Sequence, residues 1–233
     1  MTKPTKVVLV NASPKGDFSL TLQYARYLLG QEPDVEWSVA QVGEKLTGME
    51  YDRAWLDEII AAIERCDAVI WATPVYTMLV PWQLIRFFDL VRKAGKNAVF
   101  SGKYATSVMS CFHYYDHLAE EWLRGTCEDL GMSFVEGLSV DNTDLLKPAF
   151  RAGMRFFMRE FHAACSARTP VVRQSRVEMA GDGRRVRSAV WRRSNWIWRR
   201  SAQENGSSPA CGSASHNGWW AARRSGTRRS RAR

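Results

Sequence analysis

Ser13, Lys15, Ser19 and Thr21 place three hydroxyls and one ammonium group within nine positions. All four are donors, so together they are equipped to hold an anion rather than to run acid–base chemistry. The stretch around them, Lys6–Thr21, reads KVVLVNASPKGDFSLT. Val7–Val10 is a short apolar run, as a strand buried on both faces would be. Asn11–Phe18 is a polar turn containing Pro14 and Gly16. From Ser19 the apolar residues Leu20, Tyr24, Tyr27 and Leu28 recur at helical spacing. A strand, a hydroxyl-rich turn and a helix N-terminus bring unpaired backbone N–H groups and the positive end of a helix dipole to one point, which suits a phosphate. The competing reading is that Ser19 only caps the helix. Neither G-x-x-x-x-G-K-[ST] nor G-x-G-x-x-G occurs, which excludes the nucleoside triphosphate loop and the dinucleotide fingerprint.

A second candidate stretch, Thr73-Pro74-Val75-Tyr76, follows another apolar run, Ala68–Ala72. A third, Cys111-Phe112-His113-Tyr114-Tyr115, follows Tyr104–Ser110. His113 and His117 stand four apart, which on a helix would suit a metal ion, but the spacing reveals no third ligand and no metal is expected. Trp71 and Trp82 are expected in the core.

The elements that must position these stretches alternate along the chain. Strands are expected at Val7–Val10, Val35–Val42, Ala68–Ala72, Tyr104–Ser110 and near Ser133–Ser139. Helices are expected from Ser19, over Tyr51–Arg65, from Pro81, over Asp116–Leu130 and over Lys147–Ala167. This βαβαβαβαβα order predicts an α/β fold, a doubly wound five-stranded parallel sheet in the flavodoxin-like order 2-1-3-4-5. The switch point of that order lies between the first and third strands, so the Ser13–Thr21 and Thr73–Tyr76 turns should meet there.

Charge divides the chain of 233 residues. Residues 168–233 hold sixteen Arg, no Lys and three acids, or +13, and the overall +9 leaves −4 for residues 1–167. The predicted organisation is therefore a domain over 1–167 and an Arg/Trp/Ser/Gly-rich tail over 168–233. The tail has too little apolar periodicity to fold. Its composition matches an out-of-frame reading of a GC-rich gene. Five cysteines without a C-x-x-C pair disfavour a cluster, a zinc site or a disulfide framework. With no signal-peptide core and no membrane-length apolar run, they point to a cytoplasmic protein.

Asn11-Ala12-Ser13-Pro14-Lys15, followed by Asp17-Phe18-Ser19, resembles the N-G-S-P-R and S-F-[NS] opening of the NAD(P)H-dependent FMN reductase and iron–sulfur flavoprotein superfamily. Thr73-Pro74-Val75-Tyr76, with Pro81 and Phe88-Asp89 beyond, is similar to that superfamily's [ST]-P-x-Y…P…L…F-x-D pattern. The resemblance spans about residues 5–165, and the cluster cysteines are missing. It implies FMN, with Ser13, Lys15, Phe18, Ser19 and Thr21 around the phosphate and Thr73, Pro74, Val75 and Tyr76 along the ring. Ser110 and His113 would lie on the ring's other side. It also implies NAD(P)H as reductant, a quinone-like or other small electron acceptor, and a dimer or larger oligomer. Thr77-Met78-Leu79-Val80 is bulkier than the small residues usual after the Tyr, so a narrower, more apolar pocket is expected. Two other readings compete. One is a flavodoxin-type electron carrier without a small-molecule substrate. The other, which is disfavoured, is a nucleic-acid-binding protein acting through the basic tail.

Overall fold

In a computed structural model of the chain, residues 4–175 are described. The sequence reading of the tail beyond Ser175 lies outside the described residues. The elements in order are β1 (Thr5–Asn11), α1 (Leu20–Leu29), β2 (Val35–Gln41), α2 (Leu46–Tyr51), α3 (Arg53–Arg65), β3 (Ala68–Pro74), α4 (Trp82–Lys93), β4 (Tyr104–Ser110), α5 (Asp116–Asp129), β5 (Ser133–Phe134), β6 (Leu138–Val140) and α6 (Pro148–Ser166). The sheet runs β2-β1-β3-β4-β5, every pairing is parallel, and β6 joins β4 beyond β5. This is the expected flavodoxin-like order, with the fifth position shared by two short strands.

That split has a local cause. After Val135 N bonds the Ala105 carbonyl at 2.8 Å, residues 136–137 leave the ladder between β5 and β6. A Cβ on Gly137 would collide with Ser107 Oγ and crowd Glu120, so glycine lets the chain approach β4 this closely without moving either side chain. The displaced backbone finds other partners. Thr106 Oγ1 donates to the Glu136 carbonyl at 2.7 Å, and Gly137 N donates to Glu120 at 3.2 Å. A buried polar backbone must be paired somewhere, and here α5 and β4 supply the partners.

The central strands divide their side chains between two cores. Val69 and Trp71 of β3 face α3, α4 and α5, where Trp71 meets Phe88 at a ring-centroid distance of 5.0 Å, with Phe87 and Phe100 alongside. Ala68, Ile70 and Ala72 face α1 and α6, against Leu28, Met154, Phe157 and Phe161. Period-2 alternation of an apolar strand produces both layers.

Several expectations need correction. Trp82 is 60% exposed at the start of α4 and lies outside the core. Pro81 caps that helix from outside rather than standing in its first turn. Tyr51 ends a separate short helix, α2, and Asp52 caps α3 by accepting from Ala54 N at 2.9 Å. Beyond α6 the chain does not leave the body at Ala167. Tyr104 Oη donates to the Thr169 carbonyl at 2.7 Å, and Arg173, Gln174 and Ser175 close on the C-terminal end of α5.

Candidate functional site

Parallel pairing brings the three candidate stretches to one edge of the sheet. Asn11 of β1 is level with Ala72 of β3, and Ala12 N donates to the Ala72 carbonyl at 2.9 Å. Pro74 is level with Ser110 of β4, and Val75 N donates to the Ser110 carbonyl at 3.0 Å.

The first turn is built around Asn11, which is fully buried. Its Nδ2 donates to the Gly16 carbonyl at 2.9 Å and to Gln41 Oε1 at 2.7 Å, and its Oδ1 accepts from Ser13 N at 3.2 Å. One amide therefore holds both ends of the turn. Gly16 has φ +54°, a left-handed conformation that glycine adopts without strain. Ser13 and Ser19 are each 2% exposed. Ser13 Oγ accepts from Lys15 N, and Ser19 Oγ accepts from Leu22 N, both at 3.3 Å. Ser19 is therefore the helix cap, but each hydroxyl keeps its hydrogen to donate. The carbonyl of Ser19 takes Gln23 N at 3.1 Å. The first two helical amides, Leu20 and Thr21, have no carbonyl four residues back to bond, so they remain for solvent or a ligand. Lys15 and Phe18 are exposed beside them, Phe18 at 89%.

This donor set fits a phosphomonoester: two buried hydroxyls, two helix-N-terminal amides and a nearby ammonium group. Two details refine the expectation. The Thr21 hydroxyl is hydrogen-bonded to Ser110 Oγ, so it ties α1 to the end of β4 instead of standing free. Glu44 also lies against the turn, close enough that a Cβ on Gly16 would collide with its Oε2. A carboxylate there opposes an incoming phosphate by like charge.

The second stretch divides in two. Thr73 and Pro74 are buried at the end of β3, and Thr73 Oγ1 turns to the Pro74 carbonyl at 3.1 Å. Val75 is half-buried and Tyr76 is exposed. Tyr76 and Leu79 then pair across a two-residue hairpin, with N···O distances of 2.8 and 3.1 Å. Its central residues, Thr77 and Met78, have φ +49° and +70°. Such a turn ordinarily takes Asn or Gly, so two side chains here sit in an unfavourable region.

The third stretch holds a polar cluster. Asp116 Oδ2 lies 3.4 Å from Cys111 Sγ, 3.4 Å from His113 Nδ1 and 2.5 Å from Ser139 Oγ. Burial alone would raise the Asp116 pKa, but the hydrogen bonds from Ser139, Cys111 and His113 outweigh it and hold the carboxyl below its ordinary range. Burial pushes the Cys111 thiol up. His113 precedes α5 and His117 lies within it, so the two do not share a helical face. Asn11, Asp116 and Ser139 do not stand out in the sequence as site residues. Asn11 carries a signal, since an Asn just after an apolar strand can bond its own backbone two residues on. Ser139 carries none, because only the sheet brings it to Cys111.

A family model described as NADPH-dependent FMN reductase matches residues 5–142. The chain belongs to this family. It is an NAD(P)H-dependent oxidoreductase that works with FMN. Solved structures share the fold. A NADH:FMN oxidoreductase (EMOB) in its apo form superposes with a TM-score of 0.59 at 20% identity, over 69% of this chain and 89% of that one. FerB, an NAD(P)H:(acceptor) oxidoreductase from Paracoccus denitrificans, gives 0.59 at 18% identity, over 70% and 98%. An oxidoreductase from Corynebacterium diphtheriae gives 0.56 at 14% identity, over 71% and 97%. No curated protein sequence matches the chain. No described helix is long and apolar enough to cross a membrane.

Proposed function

We propose that this FMN reductase family member passes electrons from NAD(P)H to a small, planar, quinone-like acceptor, and that the loops at the carboxyl edge of the sheet form its site. The carrying observation is the aromatic rim on those loops and at the start of α4. Phe18 follows β1, Tyr76 and Trp82 follow β3, and Phe112 and Tyr114 follow β4, exposed by 89, 46, 60, 82 and 66%. Large exposed aromatics gathered at one edge of a sheet suit flat ring systems, which stack on them. The same rim suits a second copy of the chain, in keeping with a dimer or larger.

In this reading Ser13 and Ser19 donate their hydroxyl hydrogens to the FMN phosphate. The Leu20 and Thr21 amides point at it, Lys15 neutralises it and Phe18 flanks it. Val75 and Tyr76, with the Thr73–Pro74 backbone, lie along the ring, with Ser110 and His113 across from them. Thr21 acts by holding Ser110 in place. When bound, FMN supplies the hydride-accepting chemistry, and the protein's part is to orient it and to keep water from it.

The test is NAD(P)H oxidation by FMN-loaded protein with and without a soluble quinone. Turnover that rises with quinone concentration supports the acceptor class. FMN reduction without transfer to any small acceptor would favour the electron-carrier reading.

A further inference from the structure

We propose that Cys111, His113 and Asp116 form a site for one zinc-class divalent ion, at the junction of β4 and α5. The three groups come from six consecutive residues, two in the loop and Asp116 at the start of α5, and their ligand atoms all lie within 4.8 Å of one another. Asp116 Oδ2 stands 3.4 Å from both Cys111 Sγ and His113 Nδ1. Around a tetrahedral zinc, with bonds of about 2.0–2.3 Å, neighbouring ligand atoms are about 3.3–3.8 Å apart. The two shortest separations already match such an ion, so little rearrangement is needed.

The ring orientation of His113 is an independent pointer. Its Nδ1 lies 3.4 Å from Asp116 Oδ2, and its Nε2 lies 3.9 Å from the fully buried Asp144 Oδ2. A metal-bound histidine commonly has its second nitrogen directed at a carboxylate, and Asp144 is the carboxylate on that side, just beyond hydrogen-bond distance in this structure. Asp144 is itself anchored, accepting from Asp141 N at 2.9 Å and pairing with Lys147 at 3.0 Å.

The donor set decides the class of metal. One thiolate, one imidazole and one carboxylate suit a borderline-soft ion, whereas calcium and magnesium take oxygen ligands. Three protein ligands leave a fourth position. Ser139 Oγ, half-buried, stands 3.3 Å from Cys111 Sγ on the sheet side, and the exposed His113 marks the way in. A bound ion would staple the Cys111–Tyr115 loop to the first turn of α5.

The test uses the full chain, stripped by a chelator and dialysed against micromolar Zn(II), with metal content measured by elemental analysis. One equivalent should be retained. Cys111→Ser and His113→Asn should each weaken retention at least tenfold; Asn tolerates the φ of +54° at that position. His117→Ala and Cys211→Ser should leave it unchanged, which separates this site from other histidines and from the tail. With Co(II) in place of zinc, a thiolate-to-cobalt charge-transfer band should appear and be lost in Cys111→Ser. Failure to retain zinc overturns the proposal, as does retention indifferent to Cys111 and His113 or equally sensitive to His117. None of these readouts depends on flavin binding or turnover.

Discussion

Glu128 provides the sharpest test of how the body of this protein ends. It lies at the last turn of α5 and is 6% exposed. Its carboxylate receives Gln174 N at 3.0 Å, Ser175 N at 2.7 Å and the Ser175 hydroxyl, and Arg173 donates to the Glu128 carbonyl at 3.2 Å. A hydrogen bond to a charged group contributes about 1.5–3 kcal/mol. The three bonds to the carboxylate cannot simply be added, because losing them lets the 168–175 segment peel away and regain backbone freedom of about 1–2 kcal/mol per residue. The net cost of Glu128→Ala is therefore expected at about 2–4 kcal/mol. For a domain of this size that lowers the melting temperature by roughly 5–15 °C. Thermal unfolding followed by circular dichroism measures it. The same substitution in a chain ending at Ala167 should cost little, since the partners are already gone, and a chain ending at Ser175 should melt like the full chain. Equal costs of Glu128→Ala in the full chain and in the chain ending at Ala167 would mean zero coupling, and the clasp would then contribute nothing.

Lys15→Ala should weaken FMN binding roughly 10–100-fold by losing a charge-assisted contact, and Ser19→Ala about fivefold, read by fluorescence titration. Ser19→Ala should also cost about 1 kcal/mol of stability without FMN, because Ser19 caps α1 through Leu22 N. Glu44→Gln should tighten FMN a few-fold by removing like charge beside Gly16; unchanged affinity would place the phosphate elsewhere. Met78→Gly should stabilise the protein by about 1 kcal/mol, because a side chain at φ +70° is relieved; a lower melting temperature would mean that Met78 packing outweighs the strain. Alkylation of native protein at pH 8 should spare Cys66, Cys127 and Cys165, which are buried with thiols pushed upward, Cys165 to about 12. Labelling of any of the three at the rate of a free thiol would contradict that burial.

What the sequence discloses here depends on the range of the interaction. The β1 and β3 strands, the order of the sheet and the meeting of two loops at its carboxyl edge come from apolar runs, helical spacing and the geometry of crossovers, all properties of short windows. Ser13 and Ser19 are legible for the same reason: a strand, a polar turn and a capped helix are contiguous. Trp82 departs from its expected burial because the burial of an aromatic depends on which side of its helix meets the sheet, and Leu84, Phe87 and Phe88 take that side. The break between β5 and β6 is invisible in the sequence because its cause, Ser107 pressed against Gly137, joins residues thirty positions apart. The Glu128 clasp is hidden by composition. Residues 168–175 share the polar, arginine-bearing character of residues 176–233. Yet Val171 packs on the α6 side, and the backbone closes on a buried acid. A polar segment is ordered when the body presents it with groups that must be paired. The place to look for such an edge is therefore the body's unpaired acids, here a glutamate at the end of α5, rather than the segment itself.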